Sequence, residues 1–262
     1  MNIIKTELKT SLINIIVWSL VFLLFSFGSI IKFDSLLEAG EETLALLDRF
    51  PRVLLAIFNM ADVDVATLPG YFAVIASYFL LMSTIHGLFF GIRLFAREEQ
   101  EKTADFLLTK PRSRRKIFAH KLISGILVVL ILQTVLFICN YLALQKYLPD
   151  ARTMLFNYTF AFLELHLLSL IFGILLINIA PRGKAESIGL GVILTAYFIP
   201  VLANMSEDWY FLRDYFPFNM FLRETMEASG DIPTVKLTVL LALTLIFVLI
   251  GVFRFEKKDI LV

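Results

Sequence analysis

Three ionisable side chains stand inside long apolar runs of this chain: His86, Glu164 and His166. Glu164 and His166 are two residues apart in one run. A carboxyl group and imidazoles in such a setting can read a cationic group or carry a proton, and charge placed there is costly enough to need a purpose. The structural alternative is a paired carboxylate that steadies a dimer, with the two histidines packed as polar core residues. Charge is also concentrated in "FAREEQEKTADFLLTKPRSRRKIFAHK", Phe95 to Lys121. It holds twelve of the 47 Asp, Glu, Lys and Arg residues, eight of them basic. The lone Cys139 excludes an internal disulfide and a cysteine-rich metal site.

The elements that must carry these groups are membrane spans. The chain has 262 residues, 58% hydrophobic and 18% charged, with 26 Phe and a mean hydropathy of +0.80. A soluble domain carries about 25% charged residues. The net charge of +1 gives no basis for nucleic-acid binding. Runs without Asp, Glu, Lys or Arg extend for 22 residues after Lys9, 28 after Asp64, 24 after Lys121 and 17 after Lys236. A fourth span lies at about 154–180, interrupted by Glu164, and a fifth between Glu186 and Glu207 with Pro200 near its end. A bilayer-crossing helix needs about 20 apolar residues, and backbone in lipid must pair internally. The expected fold is therefore an all-α integral membrane protein with six transmembrane helices, as one domain over 1–262.

Lys and Arg collect on cytoplasmic segments. With both termini inside, the inner segments carry 16 basic residues and the outer ones 8. Residues 1–10 suggest an interfacial helix, with Ile3, Ile4 and Leu8 on one face and Lys5, Glu7 and Lys9 as its polar partners. Residues 33–68 are expected to hold outer amphipathic helices, opened by a Ser35–Glu38 capping box and divided at Pro51. Leu44, Leu47, Phe50, Leu54 and Phe58 recur there at helical spacing. The aromatic and charged segment 203–235 suggests a re-entrant or interfacial outer element. In the inner loop, 94–116, Thr103 can cap a short helix with Asp105 in its first turn. Phe106, Leu107 and Leu108 give it an apolar edge, Pro111 ends it, and Ser113 caps the next span.

The order Glu98, Thr103, Asp105, Leu107, Leu108, Pro111, Arg114, Lys121 resembles the signature of the ABC-2 type permease family. Lys102 and His120 stand where that family commonly has Gly. The tail "FRFEKKDILV" is also similar to the family's ending. The resemblance spans essentially the whole chain and implies a type V exporter-like fold. It implies a coupling helix in the 94–116 loop, with Glu98, Glu99, Thr103, Asp105, Phe106, Leu107, Leu108, Pro111 and Arg114 as ATPase contacts. It implies a separate cytoplasmic ATPase subunit holding ATP and Mg, a second permease chain, and export from the bacterial plasma membrane of a peptide, drug or lipid. This chain needs no cofactor of its own under that reading. "PRGKAE", 181–186, lacks the first glycine and the Ser/Thr of a phosphate loop.

Two other classes compete with this reading. A secondary transporter should show internal repeats and broken spans, and no convincing repeat relates the halves. An intramembrane protease of the CAAX type needs paired Glu with a downstream Arg. Arg is absent three residues after Glu99, the pair falls in the loop, and HExxH is missing.

Overall fold

The uninterrupted apolar runs become long helices because every backbone N–H and C=O is then paired within its own segment. The computed structural model describes residues 3–40, 49–61, 63–100, 113–147, 151–181, 183–205, 208–209, 211, 215–220 and 234–257, and the side chains of 98–100 and 219–220 lie outside that description. Six of its helices are long and apolar enough to cross a bilayer. They are α2 (Leu12–Glu38), α4 (Leu68–Gln100), α5 (Arg114–Ala143), α6 (Arg152–Ile179), α7 (Ala185–Ala203) and α9 (Thr234–Lys257). Among the described residues three short α-helices and one 3-10 turn, Gln145–Tyr147, accompany them: α1 (Ile3–Thr10), α3 (Arg52–Ile57) and α8 (Pro217–Met220). No strand occurs among the described residues.

The first and last described residues lie at the same end of the bundle, called here the terminal end. Phe255 of α9 packs there against Phe95 of α4 and Phe118 of α5, with ring centroids 5.5 and 5.7 Å away. α1 packs on the start of α5 at that same end. The spans overrun the apolar cores that reveal them. α2 continues through Lys32 to Glu38, and α4 through Arg93 and Arg97 to Gln100.

α4 and α6 form the centre of the bundle and run parallel, with Phe72 against Tyr158 and Phe79 against Phe162 along their length. Their backbones touch. A Cβ added at Gly87 would stand 2.7 Å from the His166 carbonyl oxygen, and one at Gly91 would run into that of Leu170. From the other side, a Cβ at Gly173 would run into the Leu88 carbonyl. Small residues four apart let helices approach this closely in a membrane, where dispersion contacts replace the hydrophobic effect as the driving force. By contrast α9 is the least buried span, with only 11% of its core window inside the bundle.

At the opposite end the structure departs from two expectations. The Ser35–Glu38 capping box does not form. Nothing breaks the helix at Ser35, so α2 runs on and Ser35 Oγ donates back to the Ile31 carbonyl at 2.9 Å. Pro51 does begin a helix, α3, as its N-cap, while Leu44 and Leu47 lie outside the described residues. α3 closes on Asn59, which takes φ 59°. The Asn59 amide donates to Ala56 O at 2.9 Å and the Met60 amide to Leu55 O at 2.7 Å, the paired closure that favours a left-handed residue after a helix. Lys146 bonds Asp34 at 3.1 Å, and that carboxylate raises the Lys146 ammonium above its ordinary range. Most of segment 203–235 lies outside the described residues.

Candidate functional site

The terminal end holds a buried ionic knot. Its hub is Glu7, only 3% exposed, on the inward face of α1 with Ile3, and the buried Ser11 follows just after the helix. This reverses the sequence expectation that Glu7 shares a polar face with Lys5 and Lys9. Those lysines are exposed, and Glu7 turns inward because two cations wait there. Arg97 Nη2 donates to Glu7 Oε1 at 2.8 Å, and Lys121 Nζ stands 3.7 Å from the same oxygen. Lys121 also donates to the Leu94 carbonyl and lies over the Phe95 ring at 5.4 Å. Arg97 and Leu94 belong to the last turns of α4, and Lys121 to the first turns of α5. The knot therefore ties α1 to both helices that flank residues 101–112.

The flanks themselves are well defined. Ser113 caps α5 as expected, its hydroxyl accepting from the Lys116 amide at 3.4 Å. Arg114 donates to the Glu256 carbonyl of α9 at 3.2 Å, and Arg115 pairs with the Glu256 carboxylate. Glu98 and Glu99 stand in the last turn of α4. Thr103, Asp105, Phe106, Leu107, Leu108 and Pro111 lie outside the described residues.

Deeper in the bundle, His86 and His166 meet although 80 residues separate them. His86 Nδ1 lies 2.7 Å from His166 Nε2. His86 Nε2 lies 2.8 Å from Asn14 Oδ1, and Gln133 Nε2 lies 2.8 Å from His166 Nδ1. The carbonyl oxygen of Asn14 fixes the direction. His86 donates from Nε2 and accepts at Nδ1, so His166 donates from Nε2 and accepts the Gln133 amide at Nδ1. Each ring thus carries one proton. Gln133 donates its second hydrogen to Ser83 Oγ at 3.2 Å. One chain of hydrogen bonds links α2, α4, α6 and α5, with Trp18 edge-on and Phe90 stacked on the His86 ring. Replacing His166 with Phe would strand a ring nitrogen of His86 and the Gln133 amide in the core. The expected cost is about 1–3 kcal/mol, read as a lower thermal midpoint of the detergent-solubilised chain, and an unchanged midpoint would remove the chain's stabilising role.

Glu164 does not join this chain. Two residues from His166 along a helix, it projects to a different face. It is 6% exposed, and its polar neighbour is Thr244 on α9. The structure thus brings two of the three expected pathway residues together and sets the third apart.

Comparison with known families supplies the identification. The family model described as ABC-2 family transporter protein matches residues 1–260. This chain belongs to the ABC-2 transporter family. No curated protein matches it in a further comparison. The chain is accordingly a multi-pass membrane transporter component, of a family of permeases that generally work with an ATPase subunit.

Several parts of this ABC-2 chain escape a sequence reading. Asn14, Ser83 and Gln133 of the polar chain carry no motif, although a Gln in the middle of the third span is a usable signal. The Gly87-x-x-x-Gly91 spacing is another. At the opposite end, Asn59 Nδ2 donates to Tyr197 OH at 2.9 Å and to Ser77 Oγ at 3.2 Å. These groups line a small, partly open cleft between α4, α6, α7 and α8, together with Tyr158, Pro200 and Phe218.

Proposed function

We propose that this ABC-2 chain is the permease subunit of an ATP-driven exporter, with its terminal end in the cytoplasm and residues 101–112 receiving the push of a separate ATPase. The observation that carries the reading is the wiring of that segment's flanks. α4 is tied to α1 through Arg97 and Glu7, and α5 to α9 through Arg115 and Glu256. A displacement applied between α4 and α5 is thereby passed to both ends of the chain. The excess of Lys and Arg on this side supports the orientation. ATP and Mg belong to the partner subunit, and two permease chains, most simply identical, enclose the path. The membrane is a bacterial plasma membrane and the cargo is hydrophobic or amphipathic: a peptide, a drug or a lipid.

Native purification should bring down an ATPase with this chain. In the reconstituted complex, Glu98→Lys and Leu107→Pro are expected to leave ATP hydrolysis running while cargo export falls. Full export by both variants, or transport by the permease without any ATPase, would overturn the reading.

A further inference from the structure

Glu164 sits in the middle of α6, with 12 residues before it and 15 after it in the helix. Its depth is about 18 Å from one helix end and about 22 Å from the other at 1.5 Å per residue. Thr244 of α9 faces it from a similar mid-span position. The Thr244 hydroxyl is within weak hydrogen-bonding reach of the carboxyl group, yet no hydrogen bond of good geometry forms there, and Glu164 Oε1 and Thr244 Oγ1 are both buried and unsatisfied. An acceptor and a hydroxyl on two facing helices are left with capacity at the same spot.

Among the described residues, no built-in cation compensates the carboxyl group. α9 carries no charge between Lys236 and Arg254, which are 8 and 10 residues from Thr244, or about 12 and 15 Å along the axis. α5 has none between Lys121 and its end, and α7 offers only Glu186 in its first turn. α4 offers His86, engaged with His166 and Asn14, and then Arg93 and Arg97 toward the terminal end. A carboxylate so placed needs a positive partner that arrives from outside, because burying it alone costs several kcal/mol or more.

We propose that Glu164 and Thr244 form a cation-binding site between α6 and α9, whose occupant is an exchangeable monovalent cation: a proton, an alkali ion or a primary ammonium group. α9 is the gate. It is the least buried span, so one loosely covered helix separates the carboxyl from lipid or from a neighbouring chain. The site requires only that α6 and α9 span the bilayer, and stands whether or not residues 101–112 couple to an ATPase.

The test is labelling of the intact complex in lipid nanodiscs with dicyclohexylcarbodiimide, an apolar reagent for buried carboxylic acids. The acid proton passes to a carbodiimide nitrogen, and the carboxyl oxygen adds to the central carbon. The O-acylisourea formed rearranges to a stable N-acylurea that peptide mass spectrometry locates. One reagent on the Glu164 peptide is expected, and none on that peptide in Glu164→Gln. Thr244→Val should change the labelling rate without changing the elution of the complex. Labelling that falls with rising pH, by up to about tenfold per unit, and ignores other cations assigns the proton. Slowing by sodium chloride at fixed pH assigns an alkali ion, and slowing by hexylamine assigns an ammonium group. Absence of labelling at every pH overturns the site, as does labelling that pH, sodium and hexylamine all leave unchanged.

Discussion

Leucine in place of Gly91 should yield a chain that cannot keep its α4–α6 crossing. The new Cβ would meet the Leu170 carbonyl oxygen, a backbone atom that no rotamer change can move aside. Overpacking a core commonly costs about 1–3 kcal/mol, and more where backbone must shift. Here the whole parallel pair would have to separate, because Gly173 meets the Leu88 carbonyl from the facing helix and closes the same contact. The His86–His166 bond lies within this crossing and would be lost with it. Size-exclusion of the solubilised variant after a temperature ramp should show aggregation at a much lower temperature than the parent. Gly28→Ala is the matched control. An added Cβ there meets nothing within 4 Å, and alanine in a helix interior is favoured over glycine by about 1 kcal/mol. Equal behaviour of Gly91→Leu and Gly28→Ala would mean that the crossing is not what holds α4 to α6.

That contrast also marks what the sequence makes legible. Gly28 and Gly91 look alike in an apolar run, and only the neighbouring helix separates them. The six spans are readable because charge-free length is a local property that the bilayer enforces on each segment alone. The Ser113 cap is readable for the same reason, since a hydroxyl and an amide three residues on decide it. Ser35 misleads because Ser and Glu three apart signal a start only where the preceding helix has ended, and α2 has not. Glu7 misleads because its partners, Arg97 and Lys121, are 90 and 114 residues away. The meeting of His86 with His166 is hidden likewise. In spans that are apolar all round, no polar face announces which side packs inward.

The second large effect belongs to Glu7. Removing one partner of a buried ion pair typically costs about 3–5 kcal/mol, since the remaining charge keeps its desolvation penalty and loses its compensation. Glu7→Ala would leave Lys121, which is 2% exposed, with no carboxylate from α1. The chain should unfold at a clearly lower temperature. Lys121→Met in the same background should recover most of that loss, because an apolar side chain of similar reach asks nothing of the site. Additive losses in the double variant would mean that the two residues act independently. The cycle also separates stability from transmission. Glu7→Ala/Lys121→Met restores packing at the start of α5 without restoring the link from Arg97 to α1. If α1 moves with α4 through that link, ATP-dependent changes in amide exchange over 3–10 should vanish in the double variant and persist in the parent. Persistence in both would place the drive to α1 elsewhere, leaving Glu7 a purely structural anchor.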